Sequence, residues 1–122
     1  MQSRVRFVGS VENVHEYLQA SNVFVFPSEQ ESFGVSVAEA MACALPVVAT
    51  TSGGLKDLVQ NDVNAISVPI QQAQALADGL SHTLSSDMSH LGNAARRFIL
   101  QHCAVNTVLA QYQQLLTPAP SA

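Results

Sequence analysis

Two glutamates eight residues apart, Glu31 and Glu39, lie on either side of a glycine in the stretch PSEQESFGVSVAEAMACALPVV, which runs from Pro27 to Val48. A strand pattern ends just before this stretch, and a helical pattern begins near Val35, directly after the glycine. The free N–H groups and positive dipole end of a helix N-terminus favour an anion such as phosphate. Glu39 lies too far along the helix to cap it, and a carboxylate there suits two adjacent hydroxyls, such as a ribose diol. The spacing therefore predicts an anion site flanked by two carboxylates.

Further residues in and near this stretch fit such a site. Ser36 adds a hydroxyl donor beside the helix N-terminus, and Gly34 has no side chain to keep a ligand from the backbone. Gly53 and Gly54 follow the next strand pattern, where glycines leave room for a ligand, although a plain strand-to-helix turn explains them almost as well. Ligands of open α/β sheets bind outside the carboxyl ends of the strands, which is where these loops lie. Taken singly, such glutamates and glycines are usually structural, so only the joint pattern argues for a site.

The elements that must position these residues alternate between strand and helix. Four short runs rich in Val, Ile and Phe predict strands that are covered on both faces: Val5–Val8, Val23–Phe26, Pro46–Ala49 and Ala65–Val68. Three intervening segments are long enough for crossover helices: Asn13–Ala20, Val35–Cys43 and Gly54–Gln60. This alternation predicts an α/β fold, with a parallel Rossmann-like sheet of about four strands and right-handed crossovers.

The pattern after Pro69 is helical only. Apolar residues at helical spacing predict a helix over Gln72–Leu84, and Ser86 or Asp87 could cap the next helix, which runs through Leu100. An amphipathic closing helix is predicted up to Leu116. We therefore expect one domain over residues 1–116 and a flexible tail over residues 117–122.

Composition excludes several classes of function. The 122 residues are 48% hydrophobic and 11% charged, with a net charge of −4, so a nucleic acid is not an expected partner. The longest apolar run is far short of a membrane span, and the two cysteines, Cys43 and Cys103, lack metal-ligand spacing. A cytoplasmic protein with reduced thiols and no bound metal is the expectation.

The motifs PS, ESFG, EAMA and LPVV together resemble the donor-site signature, E-x7-E, of retaining glycosyltransferases with the GT-B fold, the glycogen-synthase-like group. The resemblance covers about residues 5–116, and its sharp motifs occupy residues 27–54. It implies transfer of a sugar from a nucleoside diphosphate sugar, a UDP- or GDP-sugar, to an acceptor hydroxyl with retained configuration, and no other cofactor. The residues that it implies are catalytic Glu31 at the donor sugar, Glu39 at the ribose, and Phe33, Gly34, Val35, Ser36, Gly53 and Gly54 as further donor contacts.

Three positions depart from the family pattern. Ala44, Asp62 and Ala65 stand where the family usually has glycine. If the backbone there needs a positive φ, each substitution costs on the order of 1 kcal/mol. None of these changes removes a catalytic group.

The resemblance extends only to the later part of the second domain of a GT-B enzyme. The acceptor domain and the first two donor-domain strands, which supply an Arg and a Lys to the diphosphate, have no match. We therefore expect the isolated chain to be inactive, and its partners to be an acceptor domain, a separate chain or a second copy bound at an exposed sheet edge. Two alternatives remain: a non-catalytic nucleotide- or partner-binding module, and a flavodoxin-like signalling or cofactor domain. The second lacks the acidic cluster that a phospho-acceptor needs after Val8.

Overall fold

A three-stranded parallel sheet forms the centre of the molecule, which a computed structural model describes over residues 2–119. Its strands are β1 (Phe24–Phe26), β2 (Val47–Thr50) and β3 (Ile66–Val68), in the order β1-β2-β3. Val48 pairs with Val25 on one side and with Ile66 on the other. The predicted α/β class and parallel pairing are confirmed.

Helices cover both faces of this sheet. They are α1 (Val14–Gln19), α2 (Val35–Ala42), α3 (Leu55–Leu58), α4 (Ala73–Ser85), α5 (Ser89–His102) and α6 (Val105–Leu116). Side chains of α2, α3 and α5 share one core cluster on the first face, and α4 packs against β2 and β3 on the second. Each predicted helix is present, and its ends lie within a few residues of the predicted ones, except that α3 is a single turn.

The central strand β2 explains the apolar character of its sequence. Val47 and Ala49 belong to the core cluster beneath α2, whereas Val48 belongs to the cluster beneath α4. All four residues of β2 are buried, because a strand between two helical layers has no face left for solvent.

The predicted strand over Val5–Val8 is wrong. These residues form no strand in the structure; a short 3₁₀ turn at Gln2–Arg4 precedes them, and Phe7 is 94% exposed. A β-run needs a neighbouring strand for its backbone hydrogen bonds, and within residues 2–119 none lies beside this segment. The sheet consequently has three strands rather than about four.

The C-terminal helix α6 matches its prediction in extent but contributes no buried residue. Apart from half-buried Val108, its large apolar side chains are exposed, and Leu115 is 82% exposed. The predicted tail over residues 117–122 follows α6; residues 120–122 lie outside the described residues, as does Met1.

Two of the three departures from glycine carry a left-handed backbone. Ala44 and Asp62 both have a φ of 57°, a conformation that costs a residue with a Cβ roughly 1–2 kcal/mol. Ala65 does not have a positive φ, and its methyl group is fully buried. The expected strain is therefore present at two positions and absent at the third.

Candidate functional site

The N-terminus of α2 is formed by a glycine. Gly34 occupies the N-cap with a φ of 89°, in the left-handed region that a side chain disfavours. A Cβ at this position would also lie 2.4 Å from a methyl carbon of Leu55. Since glycine offers no capping oxygen, the first N–H groups of the helix receive no side-chain hydrogen bond from their N-cap. Val35, the first helical residue, is 65% exposed, whereas Gly34 itself is buried.

The loop that carries Glu31, residues 27–33, is held by hydrogen bonds from the end of β2 and from the turn that follows it. Thr50 donates its hydroxyl to the carbonyl oxygens of Phe26 and Ser28, and Ser52 also donates to Ser28. Gly54 donates its backbone N–H to the carbonyl oxygen of Glu31 at 2.9 Å. The position of the Glu31 backbone is thus set by the neighbouring strand.

The glycine pair is required by this close approach. A Cβ at Gly53 would lie 2.2 Å from the carbonyl oxygen of Glu31, and one at Gly54 would lie 1.6 Å from the carbonyl oxygen of Ser32. Gly53 also has a positive φ of 54°. Both glycines therefore bring the Glu31 loop against the β2–α3 turn, which is a structural role that the sequence left open.

Glu31 lines an open cavity of about 500 Å³ together with Glu29, Gln30, Ser32 and Gly53, which we call the Glu31 cavity. One carboxylate oxygen of Glu31, Oε1, accepts the backbone N–H of Ser32 at 3.0 Å. Two carboxylates and an amide side chain line this cavity without a lysine or arginine. Such a lining accepts hydrogen bonds from hydroxyl groups and repels phosphate.

Glu39 lines a different cavity, of about 310 Å³, between α1 and α2. We call it the Glu39 cavity; its lining residues are Glu12, Val14, His15, Leu18, Glu39, Ala42 and Cys43. The structure therefore does not bring the two glutamates into one cavity. Glu39 lies about 6 Å along the helix axis from Val35 at 1.5 Å per residue, so the first turn of α2 separates the two carboxylates along the chain.

The remaining predicted residues surround the first turn of α2. Phe33 is 45% exposed at the end of the Glu31 loop, and Ser36 is half-buried in the first turn. Neither these two residues nor Val35 line the Glu31 cavity or the Glu39 cavity; they lie between the residues of the two cavities in the sequence.

Positive charge is scarce around the site. Arg96 donates to the carbonyl oxygen of Ala42, at the far end of α2, and Lys56 is exposed on α3. No lysine or arginine lines either cavity. Among the described residues there is no cluster of three His, Cys, Asp or Glu side chains that could hold a metal ion.

Sequence reasoning missed three titratable residues that line these cavities. Glu29 lies two residues before Glu31 and also lines a cavity of about 300 Å³ at the N-terminus of α4; its place in the same loop was an available signal. Glu12 and His15 line the Glu39 cavity, and only the packing of α1 beside α2 reveals them.

Within residues 2–119, no helix has the length and apolar character that crossing a membrane requires. The helices of this region are short elements around the sheet.

Comparison with known proteins identifies relatives of this chain. The family model for glycosyl transferases group 1 matches residues 1–86. N-acetyl-alpha-D-glucosaminyl L-malate synthase of Bacillus anthracis is 29% identical over 117 residues, which are 94% of this chain and 31% of that protein.

Two solved structures share the fold. Sucrose-phosphate synthase from Thermosynechococcus elongatus matches with a TM-score of 0.87 at 36% identity, over 93% of this chain and 29% of that one. Anabaena Alr3699/HepE, solved in complex with UDP and also with UDP-glucose, reaches a TM-score of 0.90 at 27% identity in the UDP complex, over 94% of this chain and 32% of that one. The chain thus spans about a third of the length of these relatives. It belongs to the glycosyl transferases group 1 family and has the Rossmann-like fold of the C-terminal domain of GT-B glycosyltransferases.

Proposed function

We propose that this chain is the donor-site portion of a retaining glycosyltransferase, which transfers a sugar from a nucleoside diphosphate sugar to an acceptor hydroxyl. The observation that carries the proposal is the order of groups along the E-x7-E stretch. The Glu31 cavity comes first, the uncapped N-terminus of α2 second and the Glu39 cavity third. A donor laid along this path places its sugar, diphosphate and ribose in the order in which they are bonded.

Each part of the donor finds a chemically suitable group in this arrangement. The Ser32 amide holds Oε1 of Glu31, which leaves the second carboxylate oxygen to accept a sugar hydroxyl or to stabilise positive charge at the anomeric carbon. The first-turn amides of α2 and the Ser36 hydroxyl donate to the diphosphate. Exposed Phe33 offers an apolar surface beside the sugar, and Glu39 accepts hydrogen bonds from the ribose diol.

The proposed donor is a UDP-sugar, because structures of the relative Alr3699/HepE are described as complexes with UDP and with UDP-glucose. We place the reaction in the cytoplasm. Cys43 and Cys103 are free thiols in the structure, which suits a reducing compartment.

Turnover demands more than the described residues supply. Stabilising a departing diphosphate is an electrostatic task, and no lysine or arginine lines either cavity. We therefore propose that the chain alone binds the donor without transferring its sugar, and that transfer needs an acceptor-binding portion.

Calorimetric titration of the chain with UDP tests the nucleotide part of this proposal. Glu39→Gln should weaken UDP binding by about 10- to 100-fold, the value of hydrogen bonds to a charged acceptor. Glu39 is exposed, so the variant should keep the melting temperature of the wild type. The matched control is Asp78→Asn on the exposed side of α4, which should bind UDP normally. Equal UDP affinity in wild type and Glu39→Gln would refute the proposed ribose contact.

A non-catalytic nucleotide- or partner-binding module is the second candidate. The absence of lysine and arginine from the lining of both cavities favours it. Such a module would hold the nucleotide through the α2 N-terminus and Glu39 but would have no use for Glu31. The two functions therefore differ in whether the sugar of the donor contributes to binding through Glu31.

A further inference from the structure

Thr50, the last residue of β2, uses its side chain to hold the Glu31 loop. Its hydroxyl donates to the carbonyl oxygen of Ser28 and also lies 3.3 Å from that of Phe26. Thr50 is 4% exposed, so water has little access to this side chain. Because a hydroxyl carries a single proton, the two carbonyl oxygens share the one donor that this side chain offers.

The carbonyl oxygen of Ser28 accepts a second hydroxyl. Ser52 donates to it at 3.3 Å and is 7% exposed. The Ser28 hydroxyl in turn donates to the carbonyl oxygen of Gln30 at 2.9 Å, which connects this point to the residue before Glu31. On the other side, the Gly54 N–H holds the carbonyl oxygen of Glu31 itself. The Glu31 backbone is therefore held by side-chain hydroxyls before it and by a backbone amide at its own carbonyl.

The sheet does not need a hydroxyl at the end of β2. Thr50 pairs with Val68 of β3 through backbone groups, and the other three residues of β2 are apolar. Valine has the same branched shape as threonine and an equal preference for strands. A valine at this position would keep the pairing and the shape and would remove only the donor, so the hydroxyl serves the loop.

We propose that Thr50 is a positioning residue for recognition of the donor sugar, because its hydroxyl fixes the loop from which the Glu31 carboxylate reaches that sugar. The role rests on the proposed contact between Glu31 and the sugar, and it adds a side chain from outside the E-x7-E stretch. Thr50 acts through the loop and not by touching the donor. Since the proposed nucleotide contacts come from α2, loss of the hydroxyl should weaken binding of the sugar and spare binding of the nucleotide.

Calorimetric titration with UDP-glucose and with UDP tests this difference. Thr50→Val should bind UDP as the wild type does and should lose about 10-fold in affinity for UDP-glucose, the size expected for one hydrogen bond. Thr50→Ser keeps the hydroxyl and should restore the affinity for UDP-glucose. Equal losses for UDP and UDP-glucose in Thr50→Val would overturn the proposal.

Thr83→Val is the matched control for this substitution. Thr83 is also buried, at 5% exposed, and its hydroxyl donates to the carbonyl oxygen of Gly79 within α4 at 2.7 Å. The control loses a comparable hydrogen bond away from the Glu31 loop, so it should bind both ligands as the wild type does. A loss of UDP-glucose affinity in Thr83→Val equal to that in Thr50→Val would mean that lowered stability, and not the position of the loop, is the cause.

A double-mutant cycle tests whether Thr50 acts through Glu31. In the Glu31→Gln background, Thr50→Val should cause less than about 2-fold further loss of UDP-glucose affinity, because the carboxylate that it positions is already gone. A further loss as large as in the wild-type background would overturn the positioning role. If Glu31→Gln weakens UDP-glucose binding and Thr50→Val does not, the positioning role fails and the proposed function stands. If neither does, the proposed sugar contact fails as well.

Hydrogen exchange without ligand gives an independent measurement. The Gly54 amide is bonded to the carbonyl oxygen of Glu31, so its exchange rate reports how firmly the loop is held. Relative to the amide of Val48 in the central strand, it should exchange about 10-fold faster in Thr50→Val. The rate in Thr50→Ser and Thr83→Val should match the wild type. An unchanged rate in Thr50→Val would overturn the positioning role whatever the ligand titrations show.

Discussion

The backbone amide of Gly54 lies 2.9 Å from the carbonyl oxygen of Glu31, to which it donates a hydrogen bond. This bond links the turn between β2 and α3 to the loop that carries the proposed sugar-binding carboxylate. The position of Glu31 consequently depends on a residue more than twenty positions away in sequence. The first prediction concerns this link.

Substituting Gly54 with alanine should displace the Glu31 loop. The added methyl group would lie 1.6 Å from the carbonyl oxygen of Ser32, and backbone cannot give way as a side chain can. We expect a loss of about 3 kcal/mol in unfolding free energy, at the upper end for overpacking, measured by urea denaturation. Gly9→Ala is the control, because a Cβ at this position contacts nothing within 4 Å. Only its positive φ should destabilise the variant, by about 1 kcal/mol. Equal losses of unfolding free energy in Gly54→Ala and Gly9→Ala would contradict the close contact between Gly54 and the carbonyl oxygen of Ser32.

Ala44→Gly should stabilise the chain by about 1 kcal/mol, because glycine relieves the left-handed strain at a φ of 57° and gives back only part of this gain as unfolded-state entropy. Ala65→Gly is the matched control, since it removes a fully buried methyl group where φ is not positive. It should destabilise by about 1 kcal/mol. Thermal melts should show a higher melting temperature for Ala44→Gly and a lower one for Ala65→Gly than for the wild type. A lower melting temperature for Ala44→Gly would exclude backbone strain at Ala44.

Glu31→Gln separates binding of the sugar from binding of the nucleotide. If Glu31 contacts only the sugar, the variant should bind UDP as the wild type does and should lose about 10-fold or more in affinity for UDP-glucose. The comparison of the two ligands by calorimetry needs no turnover. Unchanged affinity for UDP-glucose would favour the non-catalytic binding module.

Asp87 should make the stability of α5 depend on acidity. Hydrogen bonds from the backbone and then the side chain of Ser89 hold the pKa of Asp87 below its ordinary value of 3.8, and the charge of His90 adds to this. Because the pKa of Asp87 is lowered in the folded state, the ionised carboxylate contributes its full stabilisation above pH 3.8, the ordinary pKa. This stabilisation is lost as the pH falls through the pKa of the folded state. Asp87→Asn should therefore have a lower melting temperature than the wild type at neutral pH, and the difference between the two melting temperatures should disappear in acid.

Ser89→Ala provides a graded comparison for this prediction. It removes the side-chain donor and keeps the backbone N–H, which is the larger cause of the shift, so its melting temperature should fall between those of the wild type and Asp87→Asn at neutral pH. If the difference in melting temperature between the wild type and Asp87→Asn stayed the same in strong acid, the stabilisation would not come from the ionised carboxylate of Asp87.

Most of the fold could be predicted from local patterns. The buried run of β2 and the helical period of α4 each follow from residues within one segment. Val5–Val8 misled because its composition favours a strand, whereas strand formation depends on a partner that composition does not report. Whether Val5–Val8 forms a strand depends on a second strand lying beside it, and the residues of this segment carry no information about that.

The site could be predicted in its residues but not in its shape. The spacing of Glu31 and Glu39 placed both near α2, yet only the packing of α1 against α2 shows that Glu39 lines a separate cavity with His15. For the glycine pair the sequence left ligand access and a plain turn open, and the contact of both glycines with the Glu31 loop is shown only by the distances in the structure. Short-range patterns cannot encode such contacts between segments.

Helix α5 reaches back to the far end of α2. A Cβ at Gly92 would lie 2.1 Å from the carbonyl oxygen of Ala44, and Arg96 donates to Ala42. The stretch that the family model recognises stops at residue 86, before α5 begins. Met41 of α2 shares a core cluster with Ala95 and Ile99 of α5, so a protein trimmed to residues 1–86 would expose this side of α2. The helix of the E-x7-E motif is therefore packed against residues that lie outside the stretch matched by the family model.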